Sequence, residues 1–371
     1  MGAGRGPDEL IGHLGLEIGP RVAGSPACAA AADAIAAAFA RAGGAVRLER
    51  FRYLGWTPSP VVLEVDGTPL AAAPSTWALP TPAGGVAGTL RPLGVVPILK
   101  GLIETSAFAL LDASGHELGR VYANPNGCGA ATLPSGRGAH LTGSAVWVSS
   151  DDGQRLAAAS HALIEIADGA GPLHDANVIA EVAGESDELV IACAHYDSAW
   201  RAPGIVDNAT GVEWLRRLLA QVATGPRPRR TLRVIALAAE EIGLIGARRH
   251  AAALLASGAP PVRAVVNVDA MGGSPTLLLQ ATPGSALEQP MRAAAQALAV
   301  DGEVGAPGPG SDQMAFHELG IPVAGFLGAP DYAAYHQPAE SLAALDCALF
   351  EQAQQAATDV VTALLDADAT A

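Results

Sequence analysis

Lysine is almost missing from this sequence: Lys100 is the single one, against 21 arginines. Basic residues are few overall, and the formal net charge is −15 at pH 7. The densest basic group, Arg227, Arg229, Arg230 and Arg233, sits beside a strand start and forms no stripe. That argues against a nucleic-acid partner, which needs a basic surface to displace counterions. Half of the residues are hydrophobic and the mean hydropathy is +0.28, yet much of this is alanine. No uninterrupted apolar run reaches the roughly 20 residues of a bilayer span, so no membrane partner is expected. The four cysteines, Cys28, Cys128, Cys193 and Cys347, are widely spaced and form no CxxC pair, so they read as ordinary thiols. No GxSxG elbow, Walker loop or GxGxxG occurs. His116-Glu117 and His317-Glu318 lack the second histidine of an HExxH helix, and His140 has no ligand-like neighbours. The opening MGAGRGPDEL has no apolar core of a signal peptide. The expectation is a cytoplasmic protein, or a secreted one if the N-terminus has been processed or trimmed.

What is present is alternation of strands and helices over 371 residues, enough for two domains or one domain with an insertion. Residues 27–43 are strong helix formers ending at glycine, and 45–51 alternate as a strand. From about 56 to 165 the texture changes to recurrent Pro and Gly with short apolar runs, among them FALLDA and SAVWVSS. After about 175 the pattern is regular. ELVIACAHYD, TLRVIALAAEE, VRAVVNVDAM and IPVAGFLG read as strands, with helices between them. The long C-terminal helix is expected to start at Ser341 as N-cap. The expected fold is α/β. A mixed, mostly parallel central sheet flanked by helices is built from residues 1–55 and 166–371, and a smaller β-rich lobe is inserted at 56–165.

In open α/β sheets, ligands bind beyond the carboxyl ends of the strands. The acids and histidines gather there. His195 and Asp197 close one strand, Asp207 follows in PGIVDNATG, Glu240 and Glu241 close the next, Asp269 closes a third, and His336 follows the last. Each alone has an ordinary reading. Asp207-Asn208 makes a turn or a cap, and Glu240-Glu241 is favoured by a helix N-terminus. Five such residues after long apolar runs need a common cause, because carboxylates at the edge of a core require a compensating charge. A metal supplies one.

The segments HYDS, PGIVDNATG, AAEEIGLIGARRH, NVDAMG, SDQMAF and YHQPAES occur in this order. Together they resemble the signature set of the M28 family of dinuclear zinc aminopeptidases and related exopeptidases, over roughly 180–345. RVAGSPACAAAADAIAAAFARAG resembles the family's N-terminal helix. GSAVWVSSDDGQRLAAA, with ASGHELGRVYANPNG before it, resembles the protease-associated insert of some members. The resemblance implies two Zn²⁺ bridged by Asp207, one also held by His195 and Asp269, the other by Glu241 and His336. Co²⁺ or Mn²⁺ suit the same ligands. It implies a hydroxide shared by the metals, Glu240 as general base, Tyr335 as hydrogen-bond donor to the oxyanion, and a cis peptide at Asp207-Asn208. Asp197 would fix the tautomer of His195. Trp200 and Arg201 lie where substrate contacts are expected, and Asp312 is an outer acid or no more than an N-cap.

Two positions depart from the family pattern: Gln313 stands where histidine is usual, and Glu340 where aspartate is usual. The activity implied is hydrolysis of N-terminal peptide bonds of peptide or aminoacyl substrates. The alternatives, in order, are a di-zinc carboxypeptidase or dipeptidase, a glutaminyl-cyclase-like acyltransferase, and a non-catalytic binding protein on the same fold. Monomer and homodimer both stay open.

Overall fold

The computed structural model describes residues 8–98, 103–125, 143–300, 304–308, 310–329 and 334–367. Lys100, Cys128 and His140 lie outside them. The chain opens with α1 (Asp8–Gly12), a π-helical turn over His13–Ile18 and α2 (Pro26–Arg41). Ser25 caps α2 by accepting from the Cys28 amide, with Pro26 at the first helical position. Strand β1 (Ala45–Trp56) then leads into eight strands of a second sheet: β2 (Val61–Val65), β3 (Thr68–Leu70), β4 (Ala73–Pro74), β5 (Val86–Ile98), β6 (Ile103–Leu111), β7 (Glu117–Ala123), β8 (Ala145–Val148) and β9 (His161–Ile166). Helix α3 (Ser150–Leu156) lies between the last two.

The first sheet resumes with β10 (Ala170–Val182) and β11 (Ser186–His195), then α4 (Thr210–Thr224), β12 (Arg230–Leu237), α5 (Ile245–Ala256), β13 (Val262–Asp269) and β14 (Leu277–Ala281). It ends with α6 (Glu288–Ala297), α7 (Gln313–His317), β15 (Val323–Gly328) and α8 (Cys347–Asp366). Its seven strands run in the order β1-β10-β12-β11-β13-β15-β14. The four strands β12, β11, β13 and β15 are parallel, and both edges pair antiparallel. The sheet is thus mixed, with its parallel part in the middle, where the apolar runs are longest.

Burial on both faces explains those runs. Side chains alternate across a strand. Val190, Ala192 and Ala194 pack with α2, α4, α6 and α8, while Leu189, Ile191 and Cys193 pack with α5 and α7 on the other face. The inserted sheet has its own core, including Leu63, Phe108, Val121, Val146 and Ile164.

The C-terminal helix differs from expectation. Ser341 makes no side-chain cap. A single 3₁₀ turn over Leu342–Ala344 breaks at Leu345, and α8 starts after Asp346, whose carboxylate accepts from the amides of Ala348 and Leu349. The carboxylate satisfies two orphan amides at once, which the serine five residues earlier does not do.

Candidate metal centre

Four parallel strands deliver the site. His195 is the last residue of β11 and Asp269 the last of β13, and these strands pair directly. β12 ends at Leu237, and the chain continues three residues to Glu240 and Glu241. His336 lies in the loop after β15. Three non-glycine residues at these strand ends take left-handed backbone: Ala239 (φ 58°), Ala270 (φ 53°) and His336 (φ 54°). Such φ values are unfavourable for L-residues and cluster where function overrides local preference. Each bends the chain at or beside a site carboxylate or imidazole. The Asp207–Asn208 peptide is cis.

Five side chains meet in two triads that share one member. His195, Asp207 and Asp269 offer ligand atoms within 4.8 Å of one another, and so do Asp207, Glu241 and His336. His195 Nε2 lies 2.9 Å from Asp207 Oδ1 and 3.3 Å from Asp269 Oδ1. His336 Nε2 lies 3.3 Å from Asp207 Oδ2 and 3.2 Å from Glu241 Oε2. Asp207 Oδ1 and Glu241 Oε1 are buried and make no hydrogen bond among the described residues. His195 Nε2 and Asp269 Oδ1 have hydrogen-bond geometry, but buried carboxylate oxygens left unbonded beside them are arranged for a partner that accepts their lone pairs. Imidazole and carboxylate are what a divalent ion such as zinc takes, so the residues present fit a metal pair.

The electrostatics point the same way. Burial opposes the charge of His336, yet Glu241 and Asp207 push its pKa up to about 10. His195 is likewise raised well above its ordinary value, against the burial that lowers it, by Asp269 and Glu240. Burial raises the carboxyls of Glu240, Glu241 and Asp269, with neighbouring acids adding to it. Burial outweighs His195 to push Asp312 up to about 8, and neither of its oxygens has a hydrogen-bond partner among the described residues. Asp207 moves the other way. Burial would raise it, but the adjacent imidazoles of His195 and His336 carry it below the usual carboxylate range. Acids outnumber the two imidazoles here, which leaves the pocket short of positive charge.

The surrounding shell sharpens one expectation: Asp197 holds the His195 imidazole through its backbone carbonyl. The Asp197 carboxylate is not the acceptor for His195. It accepts from the backbone amides of Glu240 and Glu241, at 3.0 and 3.2 Å, and lies 3.7 Å from His195 Nδ1. His195 Nδ1–H donates instead to the Asp197 backbone carbonyl at 3.1 Å, a contact that two-residue spacing allows without the side chain. Asn208 is fully buried. Its Nδ2 donates to Val268 O and its Oδ1 accepts from Gly211 N. Trp200 is half-buried, and Arg201 lays its guanidinium 4.0 Å from the Trp200 ring centre. Tyr335 stacks on His336 with ring centres 3.9 Å apart.

Both unusual positions are buried and bonded. Gln313 Oε1 accepts from Asn267, two residues before Asp269, and its Nε2 donates to Gln280. The Glu340 carboxylate accepts from the amides of Gly204 and Val206, at 2.7 and 2.9 Å, directly before Asp207.

Sequence reasoning missed Arg21. Its side chain is completely buried and donates to the carbonyls of Leu14, Gly19, Tyr196, Pro203 and Gly204. Gly204 has φ 63°, and a Cβ there would lie 2.5 Å from Ser198 Cβ and 2.8 Å from the Arg21 guanidinium. Arg21 and Glu340 therefore hold the Asp207 loop from its carbonyl and amide sides. Only the RVAGS string before α2 hinted at it.

Comparison with known proteins places these observations. The profile of peptidase family M28 matches residues 177–361. Leupeptin-inactivating enzyme 1 of Streptomyces exfoliatus is 28% identical over 193 residues, 51% of this chain and 44% of its own length. Aminopeptidase YwaD of Bacillus subtilis is 29% identical over 187 residues, 47% of this chain and 40% of its own. The chain thus spans less than half the length of these curated relatives. The crystal structure of BSAP, a zinc aminopeptidase from Bacillus subtilis, shares the fold at a TM-score of 0.72 and 21% identity, covering 97% of this chain and 94% of that one.

Proposed function

We propose that this chain, which belongs to peptidase family M28, is a metal-dependent aminopeptidase that hydrolyses the N-terminal peptide bond of peptides. The observation that carries this reading is the pair of triads sharing Asp207, with buried carboxylate oxygens left unbonded between imidazoles. His195, Asp207 and Asp269 would hold one zinc ion, and Asp207, Glu241 and His336 the second. Bound there, the pair would polarise the scissile carbonyl and bring the pKa of a water between them towards neutrality.

The chain's own residues supply the rest. Glu240 belongs to neither triad, and its backbone is pinned by Asp197. Its carboxylate is free to take a proton from the attacking water and return it to the leaving amine. Tyr335, held flat against His336, would donate its phenolic hydrogen to the developing oxyanion. Glu340 and Arg21 keep the Asp207 loop from relaxing when substrate enters. We assign residues 56–165 to a protease-associated-like insert within a catalytic domain of residues 1–55 and 166–371.

The names of the relatives support peptide or aminoacyl substrates. The test compares leucyl-anilide with its N-acetylated form and with an N-blocked dipeptide bearing a free carboxylate. Cleavage of the free-amine anilide alone is expected. Cleavage of only the N-blocked, free-carboxylate substrate would overturn the polarity and make the protein a carboxypeptidase.

A further inference from the structure

Among the described residues, two contacts of the inserted lobe with the metal centre stand out, and both lie against the same triad. The first is Trp77, in the turn after β4. Its indole Nε1–H donates to the Ile242 carbonyl at 2.8 Å. Ile242 directly follows Glu241, and it is buried with Ala23, Tyr53, Trp56 and Ala239, against which Trp77 also packs. The second is an apolar cluster made wholly from the insert: Ile98, Ala107, Tyr122, Ala145 and Trp147. Tyr335 packs on this cluster, as does Val96, and it also stacks on the His336 ring. Glu241 and His336 thus each stand one residue from a contact with the insert.

Among the described residues, the other triad is held by the sheet and its loop instead. His195 and Asp269 end paired central strands, and the Asp207 loop is held by Arg21 and Glu340. Ligands on strands are fixed by the ladder, whereas ligands on loops need support from outside. Glu241 lies beyond the end of β12, and His336 sits in a loop with left-handed backbone.

We propose that the inserted lobe is a clamp on the Asp207–Glu241–His336 triad, with Trp77 and the Ile98–Trp147 cluster as positioning residues. It sets the affinity of that ion subsite and leaves the His195–Asp207–Asp269 subsite to the sheet. The inference rests on the metal-centre reading above and assigns the insert a role within it.

Zinc is titrated into the metal-stripped full chain against a chromophoric chelator, for the unaltered protein, Trp77→Phe, Val96→Ala and Glu241→Gln. Trp77→Phe removes the indole donor and keeps an aromatic ring, and Val96→Ala thins the cluster on which Tyr335 packs without opening its buried residues. Outer contacts of metal ligands are worth on the order of 10–100-fold in affinity. Each of these two variants should weaken one zinc equivalent by up to that factor and leave the other unchanged. The weakened equivalent should be the one that Glu241→Gln abolishes. A general loss of stability would weaken both equivalents together, and that result overturns the clamp, as does no change in either. An unaltered protein that binds no zinc overturns the metal-centre reading itself, before any variant is compared.

Discussion

Asp207 Oδ1 lies 2.9 Å from His195 Nε2 and makes no hydrogen bond to it. The other oxygen of the same carboxylate faces His336 at 3.3 Å. One carboxylate between two imidazoles, with its Oδ1 left unbonded, is the geometric centre of the site. Asp207→Ala should therefore abolish retention of both metal ions as well as activity, read by elemental analysis after desalting. Full metal content in that variant would contradict the sharing.

Glu240 tests the chemistry apart from the binding. It contributes no atom to either triad, so Glu240→Gln should keep the metal content and lower kcat on the order of 10²–10⁴-fold. Unchanged kcat would remove Glu240 from the proton transfer.

Glu340 and Arg21 test the support of the Asp207 loop. Glu340→Ala leaves two buried amides without acceptors and should lower zinc affinity on the order of 10–100-fold. Arg21→Met removes the donor to five carbonyls, of which those of Leu14 and Gly204 keep a backbone amide, and should cost about 3 kcal/mol or more in unfolding free energy, measured by chemical denaturation. A loss below about 0.5 kcal/mol, the ordinary surface value, would show that the loop holds itself.

Asp175 supplies a pH test remote from the triads. Tyr53 O–H and Gly24 N–H donate to its carboxylate, at 2.5 and 2.9 Å. Burial above all, with the charge of Asp197, outweighs these bonds and raises the carboxyl from 3.8 to about 6. The folded state thus holds this proton more tightly than the unfolded chain does. The stability it gives is fully present below about pH 4 and is lost as pH rises through about 6. In metal-stripped protein, the Tm of Asp175→Asn relative to the unaltered chain should become more favourable from pH 5 to pH 8. A constant difference across that range would contradict the raised value.

The alternation of apolar runs and helices made the α/β class legible, and the acids and histidines at strand ends pointed to one rim. Those features are local: a strand announces itself over eight residues, and His195 and Asp269 are its last letters. The features that were not legible join distant segments. Trp77 reaches a carbonyl 165 positions away, and Arg21 reaches carbonyls 175 to 183 positions away. Neither contact leaves a periodic trace in the sequence. The atom by which Asp197 holds His195 was hidden for another reason. Spacing put Asp197 beside His195 but did not distinguish its side chain from its carbonyl. The start of α8 failed similarly, because Ser341 and Asp346 are both competent caps and only packing of the preceding turn chooses between them.

The measurement that tests the central claim most directly is elemental mass spectrometry of the zinc-reconstituted, desalted chain, read beside leucyl-anilide turnover with and without chelator. The account predicts close to two zinc ions per chain, turnover that chelator abolishes, and recovery on adding zinc back. No bound metal, or turnover indifferent to chelator, would contradict it.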